Sequence, residues 1–437
     1  MYTGSPMQTK QVSGNVGPVP GSVTRLERRY ENKTRKDVTR ILYVHHGKGM
    51  GGAPLSLLYL LRGLDRERFE ATVLCLHESE ASEKFRSEGV EVIVDEALHD
   101  FSHTNVLWYP WWQFPKTLLR IAQFAPTYFR ARRFLRSRQF DIVHLNTSTL
   151  TAFGLAARHE GLRIVWHIRE PLHPGYLGIR RGIIRRIIHR CADIIIPICH
   201  HDAEQLIPDP RIHVVYNFID FTQFDACIDG GSVRRELGIP MHAPLVLMLG
   251  GVSKIKGTLT FIDAALRLLD SHPQSYFVVA GPIPDNSLRN RINTSRVYRD
   301  VVFGRIPEAK RRHVLFPGVR SDIPELLAAS DILCVPSTVA HFARPAIEAA
   351  AMRVPVVASD LGGPRELLRD GETGYLVPSG DVAAMSEAMR RLLDDPPLRE
   401  RMGLAGERMA KEKFDAKKNT AVVIQLYDGL MKKRAQD

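Results

Sequence analysis

Two glycine-rich segments contain the residue types that bind phosphate groups in proteins. Gly47-Lys-Gly-Met-Gly-Gly-Ala53 follows a strand-like run and precedes a helical one, and Leu249-Gly-Gly-Val-Ser-Lys-Ile-Lys-Gly257 repeats that context with two lysines added. Glycines at such turns let backbone N–H groups approach an anion at a helix N-terminus, where ammonium groups neutralise its charge. The second segment therefore predicts a diphosphate site, with a solvated basic turn as the alternative. The first is either an anion loop or a plain turn.

A third segment places one carboxylate in an apolar helix. It runs from Val335 to Glu366 and contains the helical stretch Pro345–Met352, where Glu348 is surrounded by alanines and other apolar residues. A carboxylate in that setting is either exposed to water or kept inside to accept hydrogen bonds from two hydroxyl groups. Both interpretations remain open at this point.

Strands that alternate with helices must position these segments. The first half contains the strand-like runs Arg40–His45, Ala71–Leu76, Val90–Val94, Asp141–Leu145, Arg163–His167 and Ala192–Pro197, with helix-length stretches such as Pro54–Leu64 and Ala125–Arg138 between them. Strands that are apolar on both faces and alternate with helices indicate a parallel sheet covered by helices.

The pattern restarts in the second half with strands Leu245–Leu249, Tyr276–Ala280, His313–Phe316, Ile332–Val335 and Val354–Ala358 and helices Thr258–Leu269, Pro324–Ser330 and Val382–Leu393. We therefore predict an α/β fold of two doubly wound, Rossmann-like domains facing each other across a cleft. The expected parts are a flexible tail over residues 1–38, a first domain over 39–218 and a second over 219–418. A C-terminal helix over 419–435 would complete the first domain. Ligands of such sheets bind at the carboxyl ends of the strands.

Composition argues against several classes: membrane-spanning, secreted, disulfide-rich and zinc-binding proteins. No run reaches the roughly 18 apolar residues of a membrane-spanning helix, and no apolar segment that would form a signal peptide follows the first residue. The five cysteines are scattered without a Cys-x-x-Cys pair. This distribution favours a reduced cytoplasmic protein over a disulfide framework or a zinc site.

The positive charge is concentrated in one segment. The chain has a formal net charge of +12, and residues 101–200 contain 15 Lys/Arg against 4 Asp/Glu. Five isoleucines in Ile179–Arg190 form a stripe opposite five arginines. This helix either packs its isoleucines on the sheet or faces an anionic membrane, with the aromatic run Trp108–Phe114 inserting at headgroup level. No nucleic-acid recognition module is visible, so we expect no nucleic-acid partner.

Together these segments resemble the retaining glycosyltransferases of the GT-B fold, in particular family 4, over residues 40–430. Gly51-Gly-Ala53 corresponds to the family's first glycine loop, Val215–Asp220 to its interdomain linker and Lys256-Gly257 to its Lys-Gly pair. Further pieces occur in the family's order and spacing: Val314–Gly318, Leu326–Asp331, Pro336-Ser337, Glu348-Ala349, Pro355–Ser359, Gly362-Gly363, Glu366 and Gly371–Val377.

The resemblance implies a donor site for a nucleoside-diphosphate sugar in the second domain. Lys256 would hold the diphosphate within the turn that contains Gly251, Glu348 the ribose hydroxyls, and the amides of Phe342 and Ala343 the phosphate or sugar. The first domain would bind a hydroxyl acceptor, with Gly51 and Gly52 closing on the donor. The expected reaction is hexosyl transfer with retention. Because the chain contains no Asp-x-Asp motif, we expect no metal and no other cofactor.

Three positions depart from the family pattern. The family's first glutamate is replaced by Ala340, and the adjacent His341 is the predicted substitute at the donor sugar. The turn arginine is replaced by Gly251, with Lys254 or Arg344 as the predicted source of the missing charge.

The third departure is an active-site histidine that aligns with Arg169. His167 lies two residues earlier, on the same side of the strand. The predicted catalytic set is therefore Arg169, His167 and His341.

The sequence thus predicts a glycosyltransferase of envelope polysaccharide, exopolysaccharide or glycolipid assembly. Its acceptor is expected to be free or lipid-linked, and the protein cytoplasmic or peripheral on the cytosolic membrane face. Two alternatives remain: a nucleotide-sugar epimerase of the same fold, and a non-catalytic donor-binding subunit, which the changes at Ala340 and Gly251 suggest.

Overall fold

A computed structural model describes residues 38–101, 114–287 and 295–434. These residues form two α/β domains, each built on a six-stranded parallel sheet, as the sequence predicts. The predicted N-terminal tail and the aromatic run that contains Trp108 and Trp112 lie outside the described residues.

The first sheet has the strand order β3-β2-β1-β4-β5-β6. Its strands are β1 Thr39–His45, β2 Phe69–Cys75, β3 Glu91–Val94, β4 Ile142–Leu145, β5 Arg163–Ile168 and β6 Ile194–Pro197. Its helices are α1 Gly52–Arg62, α2 Glu80–Ser87, α3 Phe114–Ala122, α4 Phe124–Arg136, α5 Thr151–His159, α6 Ile179–Cys191 and α7 His200–Glu204.

The second sheet repeats this topology with the order β12-β11-β10-β7-β8-β9. Its strands are β7 Leu245–Leu249, β8 Tyr276–Ala280, β9 Val314–Gly318, β10 Ile332–Val335, β11 Val356–Ser359 and β12 Gly374–Val377. The helices that follow the first domain are α8 Gly231–Glu236, α9 Thr258–Ser271, α10 Ser295–Gly304, α11 Ile323–Ala328, α12 Arg344–Ala351, α13 Pro364–Leu367, α14 Val382–Asp394, α15 Pro396–Lys413 and α16 Ala416–Arg434.

Both faces of each sheet are covered by apolar side chains. In β1, Ile41 and Tyr43 belong to one buried cluster while Leu42 and Val44 belong to the other, because successive side chains of a strand point to opposite faces. Two further clusters cover the second sheet. This double burial explains why the strands read as continuous apolar runs in the sequence.

The predicted elements are found within a few residues of their expected ends. Strand β12 and helices α8, α10, α13 and α15 were not predicted as elements, and His313 ends a 3₁₀-helix over Glu308–His313 instead of opening β9. Helix α16 returns to the first domain, where Val423 and Tyr427 are buried in the same cluster as Ile41.

The chain crosses between the domains twice, and the two crossings are hydrogen-bonded to each other. The N–H of Ile219 donates to the carbonyl oxygen of Phe414 over 2.7 Å, and the N–H of Ala416 donates to the carbonyl oxygen of Ile219 over 3.0 Å. In each sheet the first strand lies between the second and the fourth, so the strand order reverses there. Open α/β sheets bind ligands at that point, beyond the carboxyl ends of the strands.

Candidate active site

The lysine-containing turn follows the carboxyl end of β7 and depends on close backbone packing. The amides of Gly250 and Gly251 both donate to the carbonyl oxygen of Ala280 over 2.9 Å. Gly251 has φ +68°, and a Cβ there would lie 2.2 Å from the carbonyl oxygen of Pro282. No side chain fits at this position without a backbone shift, so the glycine that replaces the family's arginine shapes the turn.

Lys256 and His341 meet beyond the ends of β7 and β10. The Lys256 Nζ atom lies 2.9 Å from His341 Nε2, and His341 Nδ1 lies 3.0 Å from the carbonyl oxygen of Val339. The carbonyl fixes the proton on Nδ1, so Nε2 accepts from the ammonium group. Burial and the charge of Lys256 lower the pKa of His341 to about 4, and burial also lowers the pKa of Lys256. The imidazole is therefore neutral at physiological pH.

Glu348 is buried, which decides between the two interpretations of its sequence context. Its side chain is 8% exposed, and its Oε1 atom lies 3.7 Å from Nη1 of Arg344, one helical turn earlier on α12. Burial raises the pKa of Glu348, whereas the charge of Arg344 lowers it. Helix α12 begins after Ala343, which has φ +46° and provides no side-chain cap. Pro345 has no N–H group and the Ala346 amide donates to the carbonyl oxygen of Ala343, so in the first turn of α12 the Arg344 amide keeps capacity to bind a ligand.

Arg344 crosses from the second domain to the first. Its Nη1 atom donates to the carbonyl oxygen of Phe218 over 3.2 Å, and Nη2 donates to the hydroxyl oxygen of Ser56 on α1. A Cβ placed on Gly52 would lie 3.6 Å from Arg344 Nε, whereas a Cβ on Gly51 would meet no atom within 4 Å. The start of α1 thus lies against the start of α12.

Arg169 follows the carboxyl end of β5 and is 8% exposed. Its Nε atom donates to Asn146 Oδ1 over 2.9 Å, and its Nη1 atom donates to Asn217 Oδ1 over 2.8 Å. Burial, with the positive charge of Arg344, lowers the pKa of Arg169 to about 9. The guanidinium group therefore remains charged at neutral pH.

Comparison with known proteins gives the family of the chain. The family model "Glycosyl transferases group 1" matches residues 231–409, and "Glycosyltransferase Family 4" matches residues 50–223. The two matches together span most of the chain and follow its two domains. The chain belongs to the group 1 and family 4 glycosyl transferases.

Two curated relatives and one solved structure illustrate the similarity. A D-inositol 3-phosphate glycosyltransferase of Corynebacterium efficiens is 34% identical over 209 residues, which is 47% of this chain and 47% of the relative. The chain thus spans about half the length of that relative. A UDP-Gal:alpha-D-GlcNAc-diphosphoundecaprenol alpha-1,3-galactosyltransferase of Escherichia coli is 26% identical over 282 residues, 61% of this chain and 70% of the relative. HepE of Anabaena, crystallised with UDP and glucose, superposes with a TM-score of 0.71 at 21% identity, covering 89% of this chain and 99% of HepE.

His167 lies deeper in this glycosyl transferase than a catalytic group at the cleft surface would. It is 1% exposed, and its Nδ1 atom is 3.1 Å from Nε2 of His144. His144 Nδ1 is 2.6 Å from the hydroxyl oxygen of Tyr427 on α16. Burial lowers the pKa values of His144 and His167 well below the ordinary range. The structure therefore places His167 in a neutral buried chain beneath Arg169, and its catalytic role stays a prediction.

Sequence reasoning singled out Glu366 and the linker that contains Asn217 but gave them no contact between the domains, and it missed Ser56. Glu366 of the second domain accepts hydrogen bonds over 2.8 Å from the amides of His200 and His201 at the start of α7. Ser56 and Asn217 link Arg344 to Arg169. A polar residue in an otherwise apolar helix or linker is the signal that could have drawn attention to Ser56 and Asn217.

The position of the missing glutamate lies beside a histidine of the first domain. A Cβ on Gly362 would lie 2.9 Å from Ala340 Cβ and 2.8 Å from Cδ2 of His201. The His201 ring therefore stands next to Ala340, a proximity that sequence spacing does not reveal. Among residues 38–101, 114–287 and 295–434, no group of three or more His, Cys, Asp or Glu side chains is arranged to hold a metal ion.

Proposed function

We propose that this chain moves a hexosyl group from a nucleoside-diphosphate sugar to a hydroxyl acceptor with retention of configuration. The observation that carries the proposal is the half-buried ammonium group of Lys256 and the buried carboxyl group of Glu348, which follow the carboxyl ends of β7 and β10 in the second domain. Relatives named as glycosyltransferases and a neighbour crystallised with UDP and glucose support it.

The second domain provides the donor site in this proposal. The Lys256 ammonium group would bind the diphosphate. The negative charge of the diphosphate would also be attracted to the amides of Phe342 and Ala343 at the uncapped start of α12. Glu348 would accept the ribose hydroxyls, since a buried carboxylate has free lone pairs to offer. The Nδ1–H group of His341 would continue to donate to the carbonyl oxygen of Val339, and the opposite edge of the ring would lie near the transferred sugar.

The chemistry requires stabilisation of the departing diphosphate and placement of the acceptor hydroxyl on the same face of the sugar. Positioned cations and helix N-termini stabilise developing negative charge without reorganisation during the reaction. Lys256, Arg344 and α12 are the groups of this chain that would do so. We propose that transfer needs neither a metal nor another cofactor.

We also propose that the first domain attaches to the cytosolic face of an anionic membrane, where a lipid-linked acceptor would be reached. Leu177 and Ile179, at the start of α6, are 94% and 56% exposed, and Leu118, Leu119 and Ile121 on α3 are exposed as well. Helix α6 follows the carboxyl end of β5, so its first turn lies at the edge of the sheet that carries Arg169. An exposed apolar group flanked by arginines suits the headgroup region of an anionic bilayer.

Ion pairing distinguishes the two basic helices. Four of the five arginines of α4 and its following turn are paired with acids: Arg130 with Asp95, Arg132 and Arg136 with Glu160, and Arg138 with Glu91. On α6, Arg185 donates to the carbonyl oxygen of Ile207 rather than to a carboxylate. Among the described residues, the charge of Arg185 is therefore not balanced by an adjacent carboxylate, and α6 is the helix that we propose to face the membrane. No helix in the described part of the chain has the length and apolar character to cross a bilayer.

A panel of nucleoside-diphosphate sugars tests the proposed reaction. We expect one donor to be consumed, slowly by water and faster with an acceptor, and nuclear magnetic resonance of the product to show the anomeric configuration of the donor. EDTA should leave the rate unchanged. Conversion of the sugar within an intact nucleotide sugar would identify an epimerase, and thermal stabilisation by a donor without turnover would identify a binding subunit. Either outcome would contradict the proposed transfer.

A further inference from the structure

Two buried arginines from opposite domains lie at the ends of one short hydrogen-bonded chain. Arg344 of the second domain donates through Nη2 to Ser56 Oγ, which lies 2.9 Å from Asn217 Oδ1. Arg169 of the first domain donates through Nη1 to the same Asn217 oxygen over 2.8 Å. Only two small polar side chains therefore separate the guanidinium groups.

The positive charge of this arginine pair is incompletely balanced. Within the described residues, Arg344 has one carboxylate neighbour, Glu348 at 3.7 Å, and Arg169 forms no ion pair. Glu170 follows Arg169 directly, but its Oε1 atom accepts from the hydroxyl groups of Thr147 and Ser148 and from the Ser148 amide. Of the described carboxylates, only Glu348 lies within 4.0 Å of either guanidinium group, and the charge of Glu170 acts on Arg169 without an ion pair. Burying such an excess costs free energy unless an anion compensates it.

Each arginine also has a nitrogen atom without a hydrogen-bond partner. In the described part of the chain, Nη2 of Arg169 and Nε of Arg344 are buried and make no hydrogen bond. Buried donors are almost always paired in native proteins, and guanidinium groups match the oxygen atoms of phosphate in geometry and charge. Free donors together with excess charge are the conditions that a bound phosphate would satisfy.

We propose that Arg169 and Arg344 together bind a phosphate group at the interface of the two domains, through donors other than those of the Lys256 turn. The phosphate would come from the diphosphate of the donor or from a phosphate group on the acceptor. Only this choice of source rests on the proposed function. Because the arginines belong to different domains, a phosphate held by both ties the domains together. Phosphate binding would then strengthen a contact between the domains that Arg344 already makes through Ser56 and Phe218.

Thermal unfolding of the full chain in sodium phosphate and in sodium chloride at equal ionic strength gives the first test. A ligand that binds only the folded state raises the unfolding temperature, so phosphate should stabilise the protein more than chloride does. Calorimetric titration then measures the Kd of phosphate. We expect Arg169→Gln and Arg344→Gln each to raise this Kd at least tenfold, equivalent to 1.4 kcal/mol.

Control variants separate this effect from a general loss of charge or fold. Arg305→Gln removes an exposed arginine that pairs with Asp263, and it should leave the phosphate Kd unchanged. Arg169→Lys and Arg344→Lys keep the charge but lose the fork of donors, so intermediate Kd values are expected. These lysine variants supply the measurement if a glutamine variant does not fold. An unchanged Kd in the variants, or equal stabilisation by phosphate and chloride, would overturn the proposal.

Two further probes identify the source of the phosphate. Competition between inorganic phosphate and UDP, with weaker UDP binding in both glutamine variants, assigns the site to the donor. Additional stabilisation of the UDP-saturated protein by phosphate, or by D-inositol 3-phosphate, assigns it to an acceptor. If UDP binds normally while the arginine variants leave the phosphate response unchanged, this inference fails and the proposed donor site stands.

Discussion

At the scale of single residues, the Lys256–His341 pair decides how the donor site responds to substitution. The two side chains are 2.9 Å apart, and the imidazole is neutral because burial and the neighbouring ammonium group lower its pKa to about 4. A neutral imidazole does not compete with a diphosphate for the lysine charge. In the proposed donor site Lys256 would therefore supply the electrostatic attraction, and His341 would orient its ammonium group.

We predict that Lys256→Ala weakens UDP binding at least tenfold, because a charge-assisted hydrogen bond to phosphate contributes about 1.5–3 kcal/mol. His341→Ala is the matched control, since it removes the partner but keeps the ammonium group. That variant should bind UDP within about threefold of wild type while slowing transfer, as fits a residue near the sugar. Equal UDP affinities of wild type and Lys256→Ala would contradict the assignment of this turn.

The sequence predicts those candidate site residues whose surroundings are formed by residues nearby in the chain. Lys256 and Glu348 could be predicted because glycines, a strand and a helix of definite spacing surround them. Their partners could not be predicted in the same way. Ser56 and Arg344 are far apart in sequence, and their contact arises only when the two domains pack. The burial of His167 likewise depends on Tyr427, which α16 brings back to the first domain.

At the scale of elements, strands were easier to predict than the helices near the C-terminus. Strand β12 is only four residues long and begins with glycine, so it lacks a sustained β-branched pattern. Helix α15 contains Gly403 and Gly406, which sequence propensity disfavours in helices. A Cβ on Gly403 would lie 2.1 Å from the carbonyl oxygen of Arg353. Gly403 is needed because the backbone at Arg353 packs directly against it. This contact is between segments distant in sequence, so a local pattern does not predict it.

Helix α7 contains a buried acid that should make stability depend on pH. Asp202 is 1% exposed, and burial together with the negative charges of Glu170 and Glu366 raises its pKa to about 7. In the unfolded chain an aspartate has a pKa of about 3.9. Between these values the folded protein keeps a proton that the unfolded chain releases, so this contribution is present below about pH 4 and is lost as pH rises to 7.

We predict that Asp202→Asn, which cannot ionise, gains stability relative to wild type as pH increases from 5 to 8. Within the titration window the difference in the free energy of unfolding should change by about 1.4 kcal/mol per pH unit at most. Urea unfolding of both proteins at pH 5, 6, 7 and 8 measures it. A difference that stays constant over this range would show that Asp202 is ionised in the folded state throughout.

At the scale of the whole molecule, the distribution of charge predicts the orientation of the enzyme at a surface. The excess of arginine in residues 101–200 is visible in the sequence, but its availability is not, because ion pairing is a tertiary property. The structure pairs four arginines of the α4 region with three acids, Asp95, Glu160 and Glu91. On α6, Arg185 donates to a backbone carbonyl oxygen, and Ile179 and Ile183 are exposed. Attraction to an anionic surface should therefore depend on α6.

We predict that the protein co-sediments with liposomes containing anionic lipids but not with neutral ones. The variant with Arg180, Arg181, Arg185 and Arg186 replaced by Gln should lose this binding, since each arginine near the surface contributes about 1 kcal/mol. Replacing Arg130, Arg132, Arg136 and Arg138 by Gln removes the same charge from ion-paired positions and should leave sedimentation nearly unchanged. Raising the salt concentration should release the wild-type protein, because exposed charges are screened beyond about 8 Å at physiological ionic strength. Equal loss of binding in both fourfold variants would mean that net charge, rather than the face formed by α6, governs the attachment.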